Sequence, residues 1–368
     1  MMSKRPSAST VFILAVATLP AAVAFVAPSR VACWGTSPAS VLHMSTVVEQ
    51  KKVKKARKIF SFDIPPMPEA SPEEVSEALA SYEKAVDKMK AKDKTSKALN
   101  KEELKVVHQD DHIIVVDKPA GVLCAPDKAG NPSLAAAVFE AFGCESGNVD
   151  KMVAHRLGFD TSGLVVFART NKAIANLNTQ LRTRKVTKKY EALVCGTVAE
   201  AKGEINLALT RDVQALPYVR VYTEEAQEKL IGVIQQFPEE HRQQFMKVEK
   251  PSCTEYEVIA KEELEGNAVT RLSLTSVSGR THQLNVHCAA FGHPIVGDST
   301  YGIGGDASPN GGLAGETLSS GAASLELQQS ISDVAKGKSM GPCVHLKHLS
   351  FKHPATDEVL SFESKSPF

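Results

Sequence analysis

From residue 104 onward the chain is written in short apolar runs of the kind that form half-buried strands, and this limits the fold more than any other feature. Residues 112–116 (H-I-I-V-V) predict a strand that ends in the turn Asp117-Lys118-Pro119-Ala120-Gly121. Further strands are predicted over 164–168, 190–194, 253–260 and 271–277, the last two alternating apolar and polar residues. Helical spacing appears between them, over 171–182 and over 282–291, where Gly292 stops it. Strands interrupted by helices at intervals predict an α+β domain over 104–368, with a mixed, mainly antiparallel sheet and flanking helices. Since 43% of the residues are hydrophobic, such a domain has the apolar side chains for a sizeable core.

Two stretches break the pattern. Residues 222–249 are rich in Glu, Gln and Lys and predict a polar helical insertion. Residues 303–338 are rich in Gly, Ser and Ala and predict a disordered surface insertion. Ahead of the domain, 59–103 read as linker plus helical extension. Pro65, Pro66 and Pro68 mark a linker, and Ser71-Pro72-Glu73-Glu74 carries a capping hydroxyl, a first-turn proline and acids that suit a helix N-terminus. Val75, Ala78, Leu79, Tyr82, Ala85, Val86 and Met89 then recur at helical spacing as far as Lys90, followed by a second polar linker to 103. This helix is expected to pack on the domain or to carry a partner contact, and it shows no sign of chemistry.

Residues 1–58 read as an address. Lys4 and Arg5 precede a short apolar core over 11–19, and Ala22-Val23-Ala24 forms a small-x-small cleavage site. The apolar run is too short to span a bilayer, so no membrane association is expected of the mature form. Alone, this signal implies secretion, but the seven cysteines are odd in number and none forms a C-x-x-C pair. That pattern argues against a disulfide framework or a zinc site and for a reducing compartment. Phe25 follows the cleavage site, and the sequence beyond it is Ser-rich and basic, with Glu49 the only acid through Lys58. This resembles the bipartite presequence of algae with complex plastids, so a plastid is the favoured destination and the secretory pathway the alternative. The run 51–58, K-K-V-K-K-A-R-K, reads as the solvated end of that segment.

The net charge of +1 gives no global pull toward nucleic acid, so a nucleic-acid surface must come from local clustering. One cluster stands out: Arg182, Arg184, Lys185, Lys188 and Lys189 put five cations in eight residues and lead into Tyr190. The plainer reading of that cluster is a solvated helix end.

Four ordered stretches resemble the RluA-type RNA pseudouridine synthases. They are D-K-P-A-G at 117–121, H-R-L-G-F-D-T-S-G at 155–163, K-Y-E-A-L-V-C-G at 189–196, and G-R-T-H-Q-L-N-V-H at 279–287, which continues through G-H-P-I-V-G-D to Tyr301-Gly302. The stretch 345–354 also resembles the family's C-terminal strand pair. The resemblance covers about 105–368 and implies the family's catalytic domain acting on an RNA partner, ribosomal or transfer RNA, with no cofactor and no metal. Such enzymes break the bond between uracil N1 and ribose C1′, turn the base and rejoin it through C5. That chemistry needs a carboxylate at the sugar and a flipped-out nucleotide. Matched by position, Tyr190 would lie against the uracil and Arg156 would fill the space the base leaves. Arg280 would pair with the family's aspartate, Leu284 would wall the pocket, and Thr161 would join Arg156 and Leu284 in contacting the substrate.

The family's aspartate follows His-Arg-Leu directly, and here that residue is Gly158. The spacing from His155 to Gly163 is unchanged, so no slip restores it. Asp160 is the candidate substitute, but two positions along an extended segment are about 6.5 Å apart, far beyond catalytic tolerance. The last of the four stretches, which corresponds to the family's third motif, also departs from its usual form, with Asn285 where the family has arginine. Joint loss of a carboxylate and a positive partner would fit a site retired from chemistry. Two readings stay open: an isomerase working through Asp160, or an inactive relative that binds RNA, for instance in ribosome assembly. The address predicts that residues 1–60 fused to a fluorescent reporter will carry it into a plastid; secretion or cytosolic retention would contradict the prediction.

Overall fold

A computed structural model of the chain describes residues 70–245, 250–315, 318 and 321–368. The address segment 1–58 and the first linker, as far as 69, lie outside the described residues. In chain order the main elements are α1 (Pro72–Asp93), β1 (Lys105–Gln109), β2 (Ile113–Lys118), α2 (Leu134–Phe142), β3 (Ser162–Ala168), α3 (Asn171–Arg182), β4 (Thr187–Cys195), β5 (Lys202–Asn206), β6 (Leu209–Arg211) and β7 (Val219–Val221). They continue with α4 (Glu224–Ile234), α5 (Glu239–Phe245), β8 (Cys253–Leu264), β9 (Asn267–Ser276), α6 (Gln283–Ala290), α7 (Leu325–Gly337), β10 (Val344–Lys352) and β11 (Val359–Glu363).

One large sheet runs in the order β1-β2-β3-β10-β4-β9-β8-β5, with β11 added on β10. All its pairs are antiparallel except β10 with β3, so the sheet is mixed and mainly antiparallel, as the spacing of strands and helices predicts. Residues of β3 are buried throughout and β2 nearly so, which explains why both read as unbroken apolar runs. β8 alternates buried or half-buried residues with exposed ones over most of its length, because only one of its faces meets the core.

Three apolar clusters hold the layers together. Val116, Phe167 and Val138 belong to one that joins β2 and β3 to α2 and α3. Val194, Leu272 and Leu284 belong to a second, under β4, β9 and α6. A third joins Ala78 of α1 to Leu230, Ile234, Phe237 and Phe245 of α4, α5 and the turn between them. The parallel contact of β10 with β3 needs a glycine. Gly163 has φ +118, and a Cβ there would sit 2.4 Å from the Leu346 backbone. The Ser-Gly that closes the second motif is therefore a packing requirement that lets β10 cross beside it.

Several expectations change. The stretch 303–338, expected to be disordered, contains α7, capped by Ser324 and seated through buried Ile331 and Ala335. Its Gly-Ser-Ala composition obscured a 3.6-residue repeat that begins only at Leu325. The insertion 222–249 is helical as expected, but α4 and α5 bury Leu230, Val233 and Phe245 and so supply core as well as polar surface. The predicted helix beginning after Ser71 forms with a complete capping box and runs on to Asp93. Among the described residues no helix is long and apolar enough to cross a membrane, and no group of three or more His, Cys, Asp or Glu is placed to hold a metal ion.

Candidate active site

Lys118, the last residue of β2, is fully buried, and its ammonium donates to three backbone carbonyls: Pro119 at 2.9 Å, Phe159 at 3.0 Å and Thr161 at 2.8 Å. The Gly121 amide donates to the same Phe159 carbonyl at 3.0 Å. Burial lowers the Lys118 pKa to about 8, while the fields of Cys124 and Asp160 work the other way, so the group remains a cation at neutral pH. The first motif therefore grips the backbone of the second, and the 158–161 part of the loop is fixed by main-chain bonds that do not depend on its side chains.

Within that loop Gly158 adopts no left-handed conformation. A Cβ built there would meet Thr161 Oγ1 at 3.2 Å and nothing closer. A side chain fits once the threonine hydroxyl gives by a few tenths of an ångström. The loop's conformation does not require glycine here: the backbone accepts an L-residue, and Gly158 leaves an unfilled position. Thr161 contributes its amide to a turn with the Gly158 carbonyl at 3.2 Å and its own carbonyl to Lys118. It holds the loop and borders position 158.

The Asp160 carboxylate turns to Lys92 of α1 and forms an ion pair with it. The Lys92 ammonium also lies 5.5 Å from the centroid of the Phe159 ring. Arg280, matched as the partner of the family's aspartate, instead aims its guanidinium at the Pro251 carbonyl, at 3.3 and 3.4 Å. The expected carboxylate partner of Arg280 is thus not found at Asp160, which pairs instead with a lysine from the N-terminal helix, an element with no sign of chemistry in its sequence. Asn285 donates to Asp298 at 2.8 Å, and the other Asp298 oxygen accepts from the amides of Thr300 and Tyr301. Its loss of charge concerns Asp298, so a coupled retirement of positions 158 and 285 through direct contact is not what the geometry presents.

Tyr190 packs against both main apolar clusters, and Leu284 belongs to the second of them. The ring lies at the seam of the two halves with Leu284 among its surroundings. Burial, with the field of Cys124, raises its hydroxyl pKa, so the phenol stays neutral. Lys188 is two residues earlier on β4, on the same face. Its ammonium lies 3.7 Å from where a Gly279 Cβ would be, and burial lowers its pKa. Its field adds to the burial that pushes His155 down to about 3. Neutral His155 accepts the Val166 amide at Nε2, 3.1 Å away, which anchors the start of the loop to β3. Lys188 therefore faces the cleft, whereas Arg182, Arg184, Lys185 and Lys189 are exposed outside it. The five-cation cluster is two things, one inward ammonium and a solvated group of four. Arg156 is exposed at the rim of a cavity of about 660 Å³ whose walls include Cys124, Pro126, Leu157 and Phe159.

Comparison with known proteins agrees with this geometry. Residues 112–290 match a family model described as RNA pseudouridylate synthase. The dual-specificity RNA pseudouridine synthase RluA of Pasteurella multocida is 34% identical over 268 residues, covering 72% of this chain and 94% of that protein. The chain belongs to the RluA-type RNA pseudouridine synthase family. The dual-specificity RNA pseudouridine synthase RluA of Haemophilus influenzae is 32% identical over 270 residues, with the same coverage as the Pasteurella protein. Human RNA pseudouridylate synthase domain containing 1 shares the fold, with a TM-score of 0.50 and 21% identity over 74% of this chain and 87% of that one. Within this RluA-type chain the residues missed by sequence reasoning are Lys92, Cys124 and Lys118 in its role as loop anchor. Only Lys118 carried a signal, a lysine ending an apolar strand where a charge has no business unless it is satisfied.

Replacing Lys118 by methionine keeps the length but leaves the Pro119 and Thr161 carbonyls without their donor and the Phe159 carbonyl with the Gly121 amide alone. The expected loss is about 3 kcal/mol or more, from the cost of unmade buried hydrogen bonds. Urea unfolding should show it, together with faster proteolysis in loop 155–161; an unchanged midpoint would contradict the anchoring role.

Proposed function

We propose that this chain is an RNA-binding member of the family that receives a uridine of ribosomal or transfer RNA against Tyr190 and does not isomerise it, and that it does so in a plastid. The observation that carries the reading is the state of position 158. The backbone there is fixed by Lys118 and is compatible with a side chain, yet glycine supplies none. The nearest carboxylate in the loop, Asp160, is engaged by Lys92. Loss of a catalytic nucleophile from an otherwise intact site usually costs several orders of magnitude in rate. Tyr190, Leu284 and the inward Lys188 are groups suited to an unstacked base and its phosphate.

A second reading has one observation in its favour. Asp160 sits against a cation, as the resemblance implies for the family's aspartate, so its carboxylate has a partner of opposite charge. For it to reach a sugar placed for position 158, the turn over 158–161 must be re-laid and the pair with Lys92 broken. The Phe159 and Thr161 carbonyl bonds to Lys118 oppose that movement.

Purified chain should form no pseudouridine on ribosomal or transfer RNA transcripts, as read by chemical mapping. Gly158→Asp should give slow but measurable turnover, and Asp160→Asn should leave RNA affinity within about threefold, the scale of a single exposed charge. Pseudouridine formed by the unaltered chain and lost in Asp160→Asn would replace this reading by the second. A separate expectation concerns the floor of the cleft. Lys188→Ala should weaken RNA binding more than Lys185→Ala, because only the first ammonium faces inward; equal effects would contradict the division of the cluster.

A further inference from the structure

We propose that the C-terminal half of α1 is an RNA-binding face in its own right, a lysine stripe laid across the mouth of the cleft to hold phosphates. The proposal rests on the RNA-binding reading above and extends it to an element outside residues 112–290, the part matched by the family model.

The helix is anchored at one end only by apolar packing. Val75, Ala78, Leu79 and Tyr82 join the cluster of α4 and α5, and the Tyr82 ring meets Phe245 edge-on at 5.0 Å. Beyond Tyr82, where Ala85 packs on the cluster around Tyr218 and Tyr301, the contacts become ionic and cross from one bank to the other. Lys88 meets Asp306 at 2.7 Å, in the loop that follows the third motif. One turn later, about 6 Å along the axis, Lys92 meets Asp160 in the second motif. Its field also reaches His282, at the start of α6. Past the helix, Ser96 donates to the Pro132 carbonyl at 2.6 Å and accepts the Leu123 amide at 3.0 Å, which fixes the chain on the far bank.

Charge is concentrated where the crossing occurs. Residues 84–101 hold seven lysines against Asp87 and Asp93, a net charge of 7 − 2 = +5 in a chain whose total is +1. Among the described residues Lys84 and Lys94 are exposed and in no ion pair, and Lys90 makes only an exposed 3.5 Å contact with Asp87. Exposed pairs of that kind contribute little, so these ammonium groups are free to meet phosphates. The two pairs that do cross the cleft remove an obstacle to RNA. Asp160 and Asp306 would each repel a phosphate backbone, and Lys92 and Lys88 neutralise them. Met89 is the only large apolar side chain exposed on this stretch of helix, so an apolar protein partner has little to hold. At 3.6 residues per turn Lys90 and Lys94 fall on the side of the helix opposite Lys92, so they extend the positive surface outward from the crossing pairs, where a polyanion outside the cleft can meet it.

The test uses the full chain and a stem-loop RNA with an unpaired uridine in its loop. The variant Lys84→Ala, Lys90→Ala, Lys94→Ala keeps helix propensity and touches no buried group. Its affinity should fall about tenfold near 0.1 M salt, and the log–log salt slope should become shallower by about 2 to 3, one unit for each phosphate no longer neutralised. Lys92→Ala should also weaken binding, and adding Asp160→Asn should recover most of the loss, since the acid it neutralised is gone. If the triple variant matches the unaltered chain in affinity and slope while Lys188→Ala weakens binding, the helix proposal fails and the cleft reading stands. A gain of affinity in the triple variant would also overturn it, by marking α1 as an obstruction. Failure of the unaltered chain to bind the stem-loop at all would overturn both readings.

Discussion

A single buried ammonium organises the candidate site. Lys118 ends a strand whose neighbours are Ile, Val and Leu, in surroundings where an unpaired charge would be prohibitive. Three carbonyls make its burial tolerable, and two of them belong to the second motif. The bond network thus turns the D-K-P-A-G turn into a clamp on loop 155–161. Everything placed by that loop takes its position from the clamp: the unfilled space at Gly158, the outward Asp160, the Arg156 at the cavity rim. Gly163 completes the frame at the other end, where the Leu346 backbone passes too close for any Cβ.

A loop held by its main chain can lose a side chain without losing its shape. That is the physical content of the change at position 158. The family's carboxylate would be carried by a backbone that is still present, and a glycine there leaves Tyr190 and Leu284 in their packed positions. The same rigidity limits the remedy. The carboxylate two residues along has found its own partner in Lys92. The N-terminal helix therefore joins the site through an ion pair, while its apolar end belongs to the packing of α4 and α5.

Much of this was legible in the sequence, and the parts that were not share a cause. The strands β2, β3, β4, β8 and β9 and the helices α3 and α6 follow from apolar periodicity, a local property. The mixed sheet was expected from their alternation, and the family from four ordered motifs. Helix α7 was hidden because its Gly-, Ser- and Ala-rich approach dominates the composition of 303–338, and its packing through Ile331 depends on contacts distant in sequence. The partners of Asp160, Arg280 and Asn285 were out of reach for the same reason. Lys92 lies 68 residues from Asp160, and no spacing rule joins them. The division of the 182–189 cations was readable in principle. Lys188 and Tyr190 share a parity along β4, and parity decides which face of a strand a side chain takes.

A chain that holds a uridine without converting it leaves a distinctive trace in the cell. Crosslinking the unaltered protein to RNA in its own cells locates the uridines that reach Tyr190, and pseudouridine mapping at those positions, with and without the gene, reads their chemistry. The expected result is a set of crosslinked uridines whose pseudouridine level is the same in both cells. A crosslinked position that is pseudouridine in the presence of the protein and uridine in its absence would show that the site still turns over.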